Sequence, residues 1–268
     1  MIKLFYKEQE VPVTLWKFPG GEIGVKISEI FPASLYNGYT VEVHYQNSDD
    51  IFYMLNLVDA LKRAGVSNKH IIVKIPYLPY ARQDRVCSQG ESFALEVFMQ
   101  VLKTMDVEIY CLDLHSEVVT DKYPWVYSTS QHSTAWDLYD CNFDVYISPD
   151  AGAKEKTHQH RAITRGKASV VSLQKERVGP AVVYKHEEHD TIKGRCIVVD
   201  DICDGGATFV SLAEMLKRTQ PNITELSLYV THGIFSKGID KLKELYDNIY
   251  TANLMNASVA DQVTVLTR

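Results

Sequence analysis

Two adjacent carboxylates followed within a few residues by a glycine-rich turn, Asp200-Asp201-Ile202-Cys203-Asp204-Gly205-Gly206-Ala207-Thr208, are the residues of this chain with the clearest chemical capacity. The apolar run Ile197-Val198-Val199 before them reads as a buried parallel strand that carries the acids to its C-terminal end. The helical pattern of Phe209 to Lys217 follows. Small residues in such a turn let backbone N–H groups converge on an anion at a helix N-terminus, where the macrodipole also favours negative charge. A phosphate cradle, Asp204 to Thr208, therefore lies one turn from a carboxylate pair able to accept hydrogen bonds from vicinal hydroxyls. That combination suits a sugar phosphate. An ordinary strand, turn and helix with two capping aspartates is the plainer alternative, but a buried strand seldom ends in a bare Asp pair for structure alone.

Other chemistry-bearing residues also follow strand-like runs. After His70 to Ile75 comes Pro76-Tyr77-Leu78-Pro79-Tyr80-Ala81-Arg82-Gln83-Asp84-Arg85. Its prolines stiffen the loop, and Arg82, Gln83 and Arg85 present planar multi-donor groups suited to a polyphosphate and a base edge. After Val107 to Leu112 comes Asp113-Leu114-His115-Ser116, and after Phe143 to Ile147 comes Ser148-Pro149-Asp150-Ala151-Gly152. A lone His at a strand end is more often structural than a ligand. The stretch Ser172 to Pro180, with Lys175 and Arg177, and the charged stretch Lys185 to Lys193 combine Gly, Pro and charge without apolar periodicity, which reads as a mobile loop.

These residues need a frame that gathers strand ends. After several short β-like segments, helices are expected at Ile51 to Arg63, Glu91 to Lys103, Gly152 to Arg165 and Phe209 to Lys217. On the first, Ile51, Leu55, Val58 and Leu61 form the apolar face. Besides the strands already named, Ala168 to Ser172, Cys196 to Val199 and Leu226 to Val230 are expected as strands. The alternation implies parallel sheets covered on both faces. Two such runs joined through Ser128 to Ser133 suggest two α/β domains, 1–132 and 133–268, with the last residues returning to the first. Ligands of open parallel sheets bind outside the carboxyl ends of the strands, where the residues above fall.

Bulk properties narrow the partners. The 268 residues are 46% hydrophobic and 23% charged, ordinary for a globular protein. A net charge of −6 disfavours nucleic acid as a partner, so a phosphate site must be built locally. The five cysteines are scattered and lack zinc spacing, so reduced thiols are expected, with Cys111 and Cys196 in the core. No signal-peptide pattern and no membrane-spanning apolar stretch is seen, so a cytoplasmic location is the expectation.

The segment Ile197 to Thr208 resembles the motif that handles phosphoribosyl pyrophosphate (PRPP) in type I phosphoribosyltransferases and in ribose-phosphate pyrophosphokinases. The decapeptide Pro76 to Arg85 closely resembles the ATP-binding loop of the pyrophosphokinases, which plain phosphoribosyltransferases do not share. Asp113 to Ser116, Ser148 to Gly152, the Lys175-x-Arg177 pattern, Phe18-Pro19-Gly20-Gly21-Glu22-Ile23 and Thr231-His232-Gly233-Ile234-Phe235-Ser236 also match that family, in order and over most of the chain. Three places depart from it. Gly20 replaces an Asp, Gly205 stands where Thr is common, opening space in the phosphate loop, and Gly90 to Leu95 keeps little of the usual pattern. The chain also ends soon after Leu266, without the family's longer C-terminal segment, which leaves allostery and higher assembly open.

The resemblance implies two phosphoribosyltransferase-type halves, each a mainly parallel sheet flanked by helices. It implies a kinase in which the anomeric hydroxyl of ribose 5-phosphate attacks the β-phosphorus of Mg-ATP, giving PRPP and AMP. By the same resemblance Arg82, Gln83, Arg85 and His115 hold ATP, with Phe18 and Glu22 from a partner subunit of a dimer or hexamer. His115 and Asp150 hold magnesium on the ATP phosphates, and Asp200 and Asp201 hold ribose hydroxyls or a second magnesium. Asp204, Gly205, Gly206, Ala207 and Thr208 hold the 5-phosphate, and Lys175 and Arg177 are catalytic. Compact phage-encoded relatives apply the same chemistry to ADP-ribose in NAD salvage, and the small Gly205-Gly206-Ala207 loop admits a diphosphate ester. A non-catalytic regulatory homologue and a PRPP-consuming transferase are the remaining alternatives. Lys175 and Arg177 weigh against the former and the Arg82 to Arg85 loop against the latter.

Overall fold

The computed structural model describes residues 1–34, 37–116, 118–133, 138, 141–162, 168–178, 181–185 and 192–266, without the side chains of 132, 175–178 and 181–185. Two units, Met1–Thr129 and Ser130–Arg268, each hold a core of their own.

The first unit is built on a six-stranded sheet in the order β2-β1-β5-β6-β7-β8. Its strands are β1 (Ile2–Tyr6), β2 (Gln9–Val11), β5 (Tyr39–Val43), β6 (Ile71–Lys74), β7 (Glu108–Leu112) and β8 (Val126–Thr129). β1 is antiparallel to β2 and β5, while β5 to β8 run parallel. Register places Leu4, Val41, Val73, Ile109 and Val126 in one row, and all are buried. A separate hairpin, β3 (Val13–Lys17) with β4 (Ile23–Ile27), packs near helix α1 (Ser48–Arg63).

Helix α1 starts on a capping box. The Asp49 amide donates to Asn47 Oδ1 at 2.9 Å and the Asn47 amide to Asp50 Oδ2 at 3.3 Å. Its buried stripe is Met54, Leu57, Val58 and Leu61, rotated from the face expected. Ile51 and Leu55 instead line an apolar groove with Phe52, Tyr80, Val97 and Phe98. Two apolar stripes on one helix make the periodicity ambiguous. Helix α2 (Ala94–Lys103) starts three residues later than expected.

The second unit has a fully parallel six-stranded sheet in the order β10-β9-β13-β14-β15-β16. The strands are β9 (Val145–Ser148), β10 (Ser169–Ser172), β13 (Gly194–Cys203), β14 (Ile223–Gly233), β15 (Asn248–Leu254) and β16 (Thr264–Val265). One row, Val171, Ile147, Val198, Leu228 and Ile249, belongs to one core cluster, and Tyr146, Ile197, Val199 and Tyr229 to another. Both faces are thus covered, as a parallel sheet requires. Helices α4 (Lys154–Ala162), α5 (Ala207–Thr219) and α6 (Asp240–Lys243) lie in this unit, and a short α3 (Val118–Lys122) in the first.

Two expectations are corrected. Strand β13 does not end at Val199 but continues through the Asp pair, because Ile202 and Cys203 still pair with His232 and Gly233 of β14. The stretch expected as a loop after Ser172 is a hairpin, β11 (Gln174–Val178) antiparallel to β12 (Ala181–Lys185). Cross-strand pairing supplies there the order that charge patterning hides; residues 186–191 lie outside the described set. Among the described residues, no helix is long and apolar enough to cross a membrane.

Candidate functional site

In the second unit, neighbouring strands bring acids to one edge of the sheet. The Asp201 amide donates to Asp200 Oδ1 at 2.9 Å, and Lys156 of α4 places its Nζ 3.7 Å from Asp201 Oδ2. Removal from water holds the Asp200 carboxyl well above the usual carboxylate range, and the charges of Asp201 and Asp150 push it further. Asp150 follows β9, next to β13 in the sheet. Its Oδ1 accepts the amides of Gly152 (2.9 Å) and Ala153 (3.1 Å), and the Ser148 hydroxyl donates to its carbonyl at 2.6 Å. One oxygen of Asp150 thus turns the chain toward α4. Those two bonds use Oδ1 alone and do not involve Oδ2.

The turn after β13 is fixed by its glycines and by a neighbouring loop. Gly206 has φ 77° and ψ −5°, a left-handed conformation that side chains disfavour, and it caps α5. The Val210 amide makes the first intrahelical bond back to Gly206 (2.9 Å), and helix geometry leaves the amides ahead of it outside that ladder. Ser236 clasps Asp204 through Oγ–H to Oδ1 (2.6 Å) and N–H to the carbonyl (3.2 Å). The space above Gly205 admits a Cβ, which would stand in ordinary contact with Lys237, 3.4 Å from its Cδ. Asp204 and Gly205 bend the chain, Gly206 caps α5, and Ala207 and Thr208 are the first residues of that helix.

Lys175 and Arg177 sit on β11, opposite Tyr184 and Val182 of β12. The hairpin leaves the C-terminal end of β10, where the Leu173 amide bonds to Ser148 O at 3.0 Å. Their side chains lie outside the described set. Burial pushes the thiols of Cys111, Cys196 and Cys203 up to about 12, consistent with inert core positions.

In the first unit, the loops after β6 and β7 leave adjacent parallel strands at the same sheet edge. Leu78 and Ala81 are buried, and the Tyr80 ring, at φ 66°, packs 5.2 Å from Phe98. These anchors leave Arg82, Gln83 and Arg85 exposed, with Arg85 Nε 3.8 Å from Asp84 Oδ1. His115 is exposed two residues after Asp113, which is buried in a strained conformation at φ 43° and donates its amide to Thr129 O at 2.7 Å. A strained residue held by buried bonds at a strand end is a frequent feature of binding sites. Phe18 is half-exposed at the β3–β4 tip, its ring edge-on to Trp16 at 6.0 Å. A Cβ on Gly20 would stand 2.5 Å from Glu22 Oε2, so Gly20 makes room for the Glu22 carboxylate to fold over the turn.

His115 belongs to one unit and Asp150, Asp200 and Asp201 to the other. Among the described residues, no group of three or more His, Cys, Asp and Glu is placed to hold a metal. The donor chemistry still fits a hard divalent cation: Asp150, Asp200 and Asp201 bring carboxylate charge to adjacent strands, with Lys156 paired to one of them. Lys156 and Lys237 were not singled out by sequence reasoning. Neither belongs to a motif, and only the packing of α4 and of the loop after β14 reveals them.

Mainly parallel sheets flanked by helices define a phosphoribosyltransferase-type α/β fold, with the candidate residues at the carboxyl ends of the strands. The crystal structure of phosphoribosylpyrophosphate synthetase from Mycobacterium smegmatis has this fold: TM-score 0.73, 22% identity, covering 96% of this chain and 86% of that one. Residues 3–105 match the family model for the N-terminal domain of ribose phosphate pyrophosphokinase. The ribose-phosphate pyrophosphokinase of Pyrococcus abyssi is 26% identical over 255 residues, covering 93% of this chain and 86% of the relative. That of Thermococcus kodakarensis is 27% identical over 262 residues, covering 92% and 87%. The chain belongs to the ribose-phosphate pyrophosphokinase family.

Proposed function

We propose that this chain transfers the β,γ-diphosphate of ATP to the anomeric hydroxyl of ribose 5-phosphate. The observation that carries the reading is one chain holding two sets of strand-end residues. One is the exposed, anchored Arg82, Gln83, Arg85 and His115; the other is the Asp200–Asp201 pair followed by the glycine turn into α5. The second set suits the sugar phosphate and the first suits the nucleotide.

In this mechanism the turn from Asp204 to Thr208 holds the 5-phosphate by its amides and fixes the ribose. The Asp pair accepts hydrogen bonds from the ribose hydroxyls and orients the anomeric oxygen toward the β-phosphorus. The bond from that oxygen to the β-phosphorus forms as the bridge to the α-phosphate breaks. AMP leaves with the bonding pair, and the hydroxyl proton is released. Arg82, Gln83 and Arg85 hold the triphosphate and base, with His115 beside them. Lys175 and Arg177 neutralise the charge that moves to the leaving phosphate, the main contribution a protein makes to phosphoryl transfer. Asp150, Asp200 and Asp201 in the second unit, and separately His115 in the first, are the residues that would hold magnesium, which when bound neutralises the polyphosphate. Phe18 and Glu22, at an exposed hairpin tip, are offered to the ATP site of a second copy in a homo-oligomer.

ADP-ribose, which carries a diphosphate on the same 5-oxygen, is the second acceptor to test. Incubating the protein with Mg-ATP and each acceptor and measuring AMP tests the reading. AMP formation dependent on ribose 5-phosphate is expected. AMP with ADP-ribose alone would change the acceptor, and no AMP with either would leave a binding protein.

A further inference from the structure

We propose that Lys237 is a specificity-determining residue that binds the phosphoryl group on the acceptor's 5-oxygen. The inference rests on the sugar-phosphate reading of the turn from Asp204 to Thr208.

The loop after β14 is held rigidly against that turn. The amides of Ile234 and Phe235 both donate to Cys203 O, at 2.9 and 3.0 Å, and Ser236 clasps Asp204 twice. Phe235 is fully buried with φ 44°, and its carbonyl accepts from Asn256 Nδ2 and from the Gly238 amide, each at 2.9 Å. Lys237 follows at the exposed part of this loop. Its Cγ, Cδ and Cε lie 3.7, 3.4 and 3.5 Å from a Cβ built on Gly205, so the stem of this exposed residue runs beside the turn. That course is open because position 205 has no branched side chain. Among the described residues no carboxylate forms an ion pair with the Lys237 ammonium.

A lysine stem laid on a glycine turn, with an unmatched ammonium, lacks a counter-ion, and a phosphoryl oxygen is the ligand such a cation takes. The same chemistry comes from two sources, the monophosphate of ribose 5-phosphate and the diphosphate of ADP-ribose.

The test uses full-length protein with Lys237→Met, which keeps a stem without charge, Lys237→Arg, which keeps the charge, and Gly205→Thr, whose branched side chain crowds the stem. KM for each acceptor, KM for ATP and kcat are measured, together with thermal protection by inorganic phosphate without ATP. Loss of a charge-assisted contact should raise the acceptor KM roughly tenfold or more in Lys237→Met. The KM for ATP and kcat should stay within about twofold, since neither depends on this contact. Lys237→Arg should recover most of the loss, Gly205→Thr should reproduce it, and protection by phosphate should weaken in step. The acceptor whose KM moves identifies the source. An unchanged acceptor KM, or equal rises for acceptor and ATP, overturns the proposal. If the wild type turns over neither acceptor, the functional reading has failed, and phosphate protection alone decides: weaker protection in Lys237→Met upholds the role of Lys237, and equal protection overturns it.

Discussion

Gly205 and Gly206 are adjacent, and adding one methyl to each should move stability in opposite directions. At Gly206 the backbone sits at φ 77°, where an L-residue costs about 1–2 kcal/mol. The new Cβ would meet Leu242 Cδ1 at 3.5 Å, an ordinary contact, so the cost is conformational and not steric. Alanine also restricts the unfolded chain, which returns about 0.4–1 kcal/mol. Gly206→Ala should therefore destabilise by roughly 0.5–1 kcal/mol, a fall in Tm of about 2–4 °C for each kcal/mol. Gly205 is not in a left-handed conformation, and its Cβ would stand 3.4 Å from the flexible stem of Lys237. Gly205→Ala should then be neutral or stabilising by up to about 1 kcal/mol. Scanning calorimetry of both variants, with acceptor KM measured beside it, checks the contrast. Gly206→Ala should also raise the acceptor KM, because relief of the strain rotates the turn. Equal Tm shifts, or a larger fall for Gly205→Ala, would refute the reasoning.

Lys175→Ala and Arg177→Ala should leave ATP binding nearly intact by calorimetric titration, while kcat falls on the order of 10²–10³-fold in a stopped assay. Turnover should need magnesium, so EDTA should abolish AMP formation and added magnesium restore it. Asp200→Asn should abolish turnover yet raise the Tm of the ligand-free protein at pH 8. Desolvation and the charges of Asp201 and Asp150 hold the Asp200 carboxyl high, so the folded chain keeps this proton more tightly than the unfolded one. Stability is then lost as pH rises from the ordinary Asp range through the raised value. A neutral amide avoids that loss, by about 1 kcal/mol, and the gain should vanish on approaching pH 4. A Tm difference independent of pH would contradict the assignment.

The parallel strands were legible because burial on both faces leaves unbroken apolar runs such as Cys196 to Val199. The turn into α5 was legible because only small residues suit it. Asn248 to Leu254 escaped notice, since β15 mixes polar residues (Asn248, Thr251 and Asn253) into a run that a buried parallel strand would keep apolar throughout. The β11–β12 hairpin escaped because its first strand, Gln174 to Val178, is charged and carries no alternation to read. The buried stripe of α1 was misplaced by its second apolar face, which lines a groove. Asp200 and Asp201 could be named from their neighbours in sequence. The residues that touch their turn could not: Lys156 reaches Asp201 from a polar helix 45 positions earlier, and Lys237 reaches Gly205 from the next loop. Such contacts arise from sheet order, which brings β9, β13 and β14 side by side.

The most direct test of diphosphate transfer is the phosphorus NMR spectrum of the reaction with Mg-ATP and ribose 5-phosphate. The expected spectrum gains AMP and a pair of coupled diphosphate resonances on the sugar's anomeric oxygen, in equal amounts, as ATP disappears. Formation of ADP with a sugar bisphosphate that carries a single phosphoryl group on the anomeric oxygen, or ATP unchanged beside intact ribose 5-phosphate, would contradict the account.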